Sequence, residues 1–445
     1  MRILFVTPYV PSVIRVRPFN FIRELSKRHE ITVISLAHGD TDTLGLDEVS
    51  KYCEKLYAIP LSKAKSLVSC CRRLLTSVPL QAAYTDWPPI RDFVARVAGR
   101  GSFDLLHVEH IRGAHLAADL GGLPKVYDSV DCITRLLKQF RAHQRNPIQR
   151  LLIYEELLKM RSYEPRTAAK FDRVVITSQR DKRALQALIR TKLTRRLADD
   201  PARDANADSS ARKLIRLLTE GLQDVRPGCL GKPLRPDVTV VRNGVDSEYF
   251  RPVDLPADDH TIVFAGKMSY FANVSAALHF YRNIFPRIRL KRPDAKFKIV
   301  GNGPPDCIRK LGNDPAVTVT GYVPDMRPQL GSAAVVVCPL TIGVGIQNKV
   351  LEAMAMGKPV VSTSVACGGI PDAVSDHHLI CADGPEEFAD EVVRLVNDPG
   401  RRLELGENAC RLVRTRYSWE VAARALEEVH AEAADMHRSR LPAAA

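Results

Sequence analysis

Short apolar runs separated by amphipathic stretches recur along the whole chain. Ile3–Val6 is followed by Thr7-Pro8, then by a stretch from about Arg17 to His29 with Phe19, Ile22 and Leu25 at helical spacing, then by Ile31–Leu36. Strand, turn, helix and strand in that order form the opening βαβ unit of a doubly wound parallel sheet. Lys55–Ile59, Leu105–Val108 and Lys125–Tyr127 predict further strands. A helical region from about Ile133 to Ala169, interrupted near Asn146-Pro147, leads to a strand over Arg173–Ser178 and a helix from Asp181.

A second alternating series starts at Val238–Val241 and continues through strands at Thr261–Phe264, Lys296–Val300, Val317–Thr320, Val335–Cys338 and Pro359–Ser362. The spacing predicts helices over Ser275–Leu290, Asp306–Leu311, Asn348–Met356, Pro385–Asn397, Arg401–Arg416 and Trp419–Arg438. Between the two series, Thr191–Arg235 loses apolar periodicity and contains Pro201 and Pro227. It is far longer than an ordinary connection and reads as an insertion or mobile loop. The fold class is therefore α/β, with two Rossmann-like doubly wound domains.

Composition removes some functions and leaves others. Apolar residues make up 45% and charged residues 26% of the 445 positions. The strongest apolar run, Ala333–Leu340, has strand length rather than membrane-spanning length. Ile3–Val6, followed by Pro8 and Pro11, is too short and broken for a signal peptide. The ten cysteines show no C-x-x-C pair and read as reduced thiols of a cytoplasmic protein. The net charge of +14 suits anionic partners: nucleic acid, an anionic membrane surface or a phosphorylated substrate. Zinc-finger spacing is absent and aromatics are only 6%, which sets nucleic acid aside.

The candidate chemistry lies mainly in the second series. Gly345-Ile346-Gln347-Asn348-Lys349 ends a loop and opens a helix, and Glu352 follows one turn later on the same face as Lys349. A helix N-terminus offers unpaired N–H groups and a positive dipole end, which stabilise a phosphate. Lys349 adds a charge and Glu352 accepts hydrogen bonds from sugar hydroxyls. Together they suit a diphosphate beside a polyol. Gly266-Lys267 follows a strand and leads through Asn273 into a helix; Gly301-Asn302-Gly303 and Gly321-Tyr322-Val323 also follow strands. Open α/β sheets bind ligands at such strand ends. In the first series His107-Val108-Glu109-His110 and Asp128-Ser129-Val130-Asp131 end strands, and Arg17 opens the first helix.

The Gly345–Glu352 stretch resembles the donor site of retaining glycosyltransferases of family 4, which have the two-domain GT-B fold. Gly345–Lys349 is similar to an exopolysaccharide- and exosortase-associated subgroup of sugar transferases. Asn243-Gly244-Val245-Asp246 with Tyr249-Phe250 and Pro252 resembles the family's hinge, and Tyr417-Ser418-Trp419 its closing segment. The resemblance implies an acceptor-side domain over 1–180, completed by a helix over 419–440, and a nucleotide-sugar-binding domain over 236–418, the two facing across a cleft. It implies transfer from a nucleotide diphosphate sugar of UDP or GDP type to a glycan or lipid-linked acceptor, with retention and without metal. The leaving phosphate itself would help to deprotonate the acceptor.

The residues carried over are Glu352 for the ribose and His110 for the transferred sugar. On the donor side stand Gly266, Lys267, Asn273, Gly303, Tyr322, Val323, Gly345, Asn348 and Lys349, with the Tyr322-Val323 loop bordering the base. Arg17 and Asp128 stand on the acceptor side. The chain departs from the pattern in three places. The first of the family's two glutamates, eight positions before Glu352, falls at Val344. Lys267 replaces an arginine and Ala272 a lysine of the phosphate grip, and lysine lacks arginine's bidentate fork. The glycine-rich acceptor loop is shortened to Pro11-Ser12-Val13-Ile14. A non-catalytic nucleotide-sugar-binding protein and a nucleotide-sugar 2-epimerase are the alternatives; no added acid/base carboxylates for an epimerase can be placed. Lys267 also reads as a solvated loop lysine, His110 as a loop histidine, and Arg17 as a surface arginine.

Arg135, Lys138, Arg141, Arg145, Arg150, Lys159, Arg161 and Arg166 outnumber Glu155, Glu156 and Glu164 in the basic helical region. Interleaved with apolar residues, they suggest either docking at the inner face of the cell membrane or a solvated helix over the core.

Overall fold

Ile3, Leu4, Phe5 and Val6 are all fully buried. A strand apolar at consecutive positions is stable only with both faces covered, the situation of a central parallel strand. Residues 2–7 form that strand, β1 (Arg2–Thr7), which pairs in parallel with β2 (Glu30–Ala37) and β4 (Leu105–Glu109). With β3 (Lys55–Pro60), β5 (Lys125–Val130), β6 (Arg173–Ile176) and β7 (Asp237–Val240), they make a seven-stranded parallel sheet among the described residues, in the order β3-β2-β1-β4-β5-β6-β7. The computed structural model describes residues 1–37, 42–144, 146–198, 236–253 and 258–440.

The chain divides into two compact units, Met1–Val241 with Ala425–Ala445, and Arg242–Arg424. The second holds β8 (Asp258–Ala265), β9 (Lys296–Val300), β10 (Val317–Val319), β11 (Ala333–Cys338), β12 (Val360–Ser362) and β13 (Ile380–Cys381). Their parallel order is β10-β9-β8-β11-β12-β13. All six residues of β11 are buried, again the mark of a central strand.

Several boundaries differ from the sequence reading. The strand near Val238–Val241 does not open the second series; β7 pairs with β6 and closes the first sheet, so the second unit starts at Arg242 rather than at 236. Periodicity shows that a strand exists but not which sheet takes it. The helix expected over Ser275–Leu290 is Phe271–His279, a wider π-helical turn at Phe280–Ile284, then Phe285–Lys291. Pro286 lies at the start of the last segment and has no N–H to continue the ladder. The helix from Gln179 runs to Ala198, into the stretch read as an insertion; residues 199–235 of that stretch lie outside the described residues.

The break near Asn146-Pro147 has a clear cause. Asn146 caps the helix Pro147–Ala168, its Oδ1 accepting from the backbone N–H groups of Ile148 and Gln149. The last helix, Trp419–Arg438, begins in the second unit, and its residues from Ala425 belong to the first. There His430 meets His107 (3.0 Å between ring nitrogens), and His107 stacks on Phe5 with ring centroids 4.1 Å apart. Both histidines are buried and their pKa values lie below the ordinary range because the charged form would be desolvated. His107 is thus a core residue.

Candidate functional site

In the second unit the strand order reverses between β8 and β11, and ligands of open α/β sheets bind outside the carboxyl ends of strands at such a point. The segments leaving those two strands carry Gly266-Lys267 and the loop to Lys349. Gly266 (φ +153°) and Gly301 (φ +147°) lie back to back: a Cβ on Gly301 would fall 1.8 Å from the Gly266 carbonyl oxygen. Only glycine fits there. The Gly266 N–H donates to Val300 O (2.9 Å), the Met268 N–H to Asn302 O (2.9 Å) and the Gly301 N–H to Gly321 O (3.1 Å). The three glycine turns therefore form one hydrogen-bonded rim, with Gly303 against Ser269.

The helix Asn348–Ala355 points its start at that rim. No side chain caps it: Gln347, at the cap position, instead donates from Nε2 to Val344 O (3.1 Å). Lys349 Nζ donates to Asn273 Oδ1, and Asn273 Nδ2 donates to Lys267 O (2.9 Å). A Cβ on Gly266 would lie 3.0 Å from Lys349 Nζ and 2.8 Å from Asn273 Nδ2, so these three residues converge. The Lys349 ammonium lies 4.9 Å from the Phe264 ring centroid. Burial lowers its pKa, while Cys338 and Glu352 act the other way.

Glu352, half-buried, has its carboxyl pushed up to about 7 by desolvation, with Lys349 opposing. Its backbone carbonyl accepts from the Met356 N–H (3.2 Å), while its carboxyl makes no hydrogen bond among the described residues. Asn348 Oδ1 accepts from Asn243 Nδ2 (3.0 Å), tying the helix start to the segment that opens this unit. Gly345 stands at φ +64° in the loop before the helix. Lys267 is exposed, Tyr322 is 66% exposed and Val323 half-buried. Val344, at the position of the family's first glutamate, is buried and apolar. A link that sequence reasoning missed runs from Tyr249 Oη to Asp325 Oδ1 (3.1 Å), joining the Asn243–Pro252 segment to the Gly321–Asp325 loop.

In the first unit the order reverses between β1 and β4. His110 (φ +63°), just past β4, and Val130 (φ +62°), the last residue of β5, occupy left-handed backbone, a genuine outlier for β-branched valine. His110 Nδ1 accepts from the Arg112 N–H (3.2 Å), and burial holds its pKa down at about 3, so its ring is neutral. Arg17 and Asp128 are only 4% and 0% exposed and pair through Nε and Oδ2 at 2.7 Å; Asp128 Oδ1 also accepts from the Val130 N–H (3.0 Å). Arg17 is therefore not a surface arginine. The pair holds the start of the first helix and the end of β5 together.

Sequence reasoning also missed Tyr9, Arg15 and Glu109. Tyr9 Oη donates to Glu109 Oε1 (3.0 Å), and Arg15 Cζ lies 4.6 Å from the Tyr9 ring centroid. Position at the end of β4 was a signal for Glu109; nothing in the sequence signalled Tyr9. Among the described residues, no group of three or more His, Cys, Asp or Glu could hold a metal ion, and no helix is long and apolar enough to cross a membrane.

Residues 259–398 match the family model described as Glycosyl transferases group 1. A D-inositol 3-phosphate glycosyltransferase from Streptomyces bingchenggensis is 31% identical over 222 residues, covering 44% of this chain and 48% of that protein. An MMP alpha-(1->4)-mannosyltransferase from Mycolicibacterium hassiacum is 28% identical over 194 residues, covering 41% and 46%. The chain thus spans about half the length of the curated relatives it matches. Among solved structures, Anabaena HepE in complex with UDP superposes with a TM-score of 0.63 at 12% identity, over 97% of this chain and 100% of that one. Sucrose-phosphate synthase from Thermosynechococcus elongatus gives 0.62 at 14% identity, over 97% and 98%. The two parallel-sheet Rossmann-like domains are those of the GT-B fold.

Proposed function

We propose that this chain is a glycosyltransferase that takes its sugar from a nucleotide diphosphate sugar of UDP or GDP type. The observation that carries the proposal is the convergence of Lys349 Nζ, an uncapped helix start and Glu352 at the point where the second sheet's strand order reverses. The domain match over 259–398 covers these residues, and the relatives named above are glycosyltransferases. HepE, whose fold this chain shares, binds UDP.

In this reading the helix start, Lys349 and Lys267 stabilise the charge that develops on the leaving diphosphate, so no metal is needed. Asn273 aims the Lys349 ammonium. Glu352 accepts from ribose hydroxyls, Gly266, Gly303, Gly345 and Asn348 shape the phosphate rim, and Tyr322-Val323 borders the base. His110, neutral, contacts the transferred sugar. Transfer proceeds with retention to a glycan or lipid-linked acceptor in the cytoplasm, as in exopolysaccharide assembly. The helices Ile133–His143 and Pro147–Ala168, with Ile148, Leu151, Leu152 and Leu158 exposed, would bring the enzyme to an anionic membrane face.

The test is turnover with a panel of UDP- and GDP-sugars, with and without EDTA, reading product anomers by NMR. A metal requirement or an inverted product rejects the corresponding part. A second reading rests on buried Val344 in place of a glutamate: a protein that binds the donor without turning it over. Donor binding with neither transfer nor hydrolysis would establish that instead.

A further inference from the structure

The strand-order reversal of the first sheet lies between β1 and β4, and four polar side chains gather on the segments leaving those strands. Tyr9 is their common platform. Its hydroxyl donates to Glu109 Oε1 at 3.0 Å, the Arg15 guanidinium lies over its ring, and the His110 ring stands edge-on with centroids 6.4 Å apart. The Tyr9 backbone is fixed by two hydroxyls, Thr7 Oγ1 (2.8 Å) and Ser35 Oγ (2.9 Å), both donating to its carbonyl.

Two atoms of this group are buried and lack a hydrogen-bond partner among the described residues: Glu109 Oε2 and Arg15 Nη1. Glu109 itself is only 2% exposed. Leaving such atoms unsatisfied costs about 1–3 kcal/mol each, so a fold retains them where something else completes them. One is a guanidinium donor and the other a carboxyl oxygen. A lone phosphate would suit the first and oppose the second once ionised; a pair of neighbouring hydroxyls both accepts and donates and suits both.

We infer that Glu109 and Arg15, grouped on Tyr9, form the subsite that receives neighbouring hydroxyls of the acceptor's sugar ring. The inference rests on the glycosyl-transfer reading and adds Glu109 and Arg15 to the acceptor side, beside the buried Arg17–Asp128 pair. It also gives the strained backbone at His110 a purpose, since that conformation turns the chain just after Glu109.

The test uses the full chain with methyl α-D-glucopyranoside and methyl α-D-mannopyranoside as probes, with and without UDP, followed by saturation-transfer NMR and calorimetry. At least one glycoside should bind, and its affinity should fall about tenfold or more in Arg15→Ala and in Glu109→Leu, as expected for loss of a charged hydrogen bond. UDP affinity should be unchanged in both variants. Should Glu109→Leu fail to fold, Arg15→Ala, at a half-buried position, decides by itself. Equal glycoside affinity in wild type and variants overturns the subsite. So does absence of glycoside binding in a protein that binds UDP, or a crystal structure of the glycoside-soaked protein in which a water alone completes Oε2 and Nη1. None of these results touches the donor-side reading. Glycoside binding that depends on Arg15 in a protein that ignores UDP would keep the sugar subsite and reject the transferase.

Discussion

Lys349 and Asn273 hold each other at the mouth of the second sheet: the ammonium donates to Asn273 Oδ1, and Asn273 passes the constraint on through Nδ2 to the Lys267 carbonyl. The position next to Asn273 is Ala272, an apolar residue buried at 2% exposure. Lys349 is thus held in place by Asn273, while Lys267 is exposed.

The first prediction follows from that arrangement. Lys349→Ala should weaken UDP or GDP binding by about 1.5–3 kcal/mol, the range for a hydrogen bond to a charged group. Asn273→Ala should weaken it less, because the ammonium remains and only its aim is lost. Calorimetric titration measures both; equal affinity in Lys349→Ala and wild type would remove Lys349 from the donor site.

Gly301→Ala should be much worse than its single methyl suggests. The new Cβ would lie 1.8 Å from the Gly266 carbonyl oxygen, at a backbone angle alanine avoids. Overpacking alone costs about 1–3 kcal/mol. Urea unfolding and nucleotide titration should show both stability and affinity reduced; a variant with wild-type values in both would mean the two turns separate freely.

Breaking the Arg17–Asp128 pair should destabilise the first unit by about 3–5 kcal/mol, since either single change leaves an uncompensated buried charge. Arg17→Leu combined with Asp128→Leu should recover most of that loss. If Arg17→Leu unfolds like wild type and instead raises the KM for acceptor, the pair is a recognition element after all.

Stability should depend on pH through Glu109. Burial, reinforced by Asp128, pushes its carboxyl up to about 8 in the folded chain, with the Tyr9 hydrogen bond and the two arginines opposing. An unfolded glutamate titrates near 4.3, so from about pH 4.3 to 8 the folded state keeps a proton that the unfolded state releases. Stability from this group is complete below that window and is lost as pH rises through about 8. Glu109→Gln removes the effect, so its Tm relative to wild type should rise by a few degrees from about pH 5 to about pH 8.5, following the usual conversion of about 1 kcal/mol to a few degrees. Parallel Tm curves for the two proteins would show that the carboxyl is ionised throughout.

Much of this was legible in the sequence because the physics is local. Ile3–Val6 and Val335–Cys338 are apolar at consecutive positions, which only a strand covered on both faces tolerates, and Asn146-Pro147 spells a helix cap. Lys349 and Glu352 announced themselves by spacing on one helix. What was hidden depends on partners far along the chain. Arg17 reads like any basic residue at a helix start until Asp128, 111 positions away, neutralises it. Tyr9 carries no motif; its meaning comes from Glu109, 100 positions on. The sheet that β7 joins is likewise decided by packing, not by its own four residues.

The return of the last helix to the first unit has a consequence for synthesis. His107 waits for His430, 323 positions later, and at a ribosomal pace of about 10 residues per second that is roughly half a minute. Arg242–Arg424 is one unbroken segment and can fold as soon as it emerges, whereas the first unit, begun earlier, is completed only once the segment from Ala425 onward has emerged. During that interval the buried surface that Leu426, Val429 and Ala433 will cover is open to chaperones and to other nascent chains. A nonsense codon near residue 424 would therefore damage the half of the protein farthest from it in sequence.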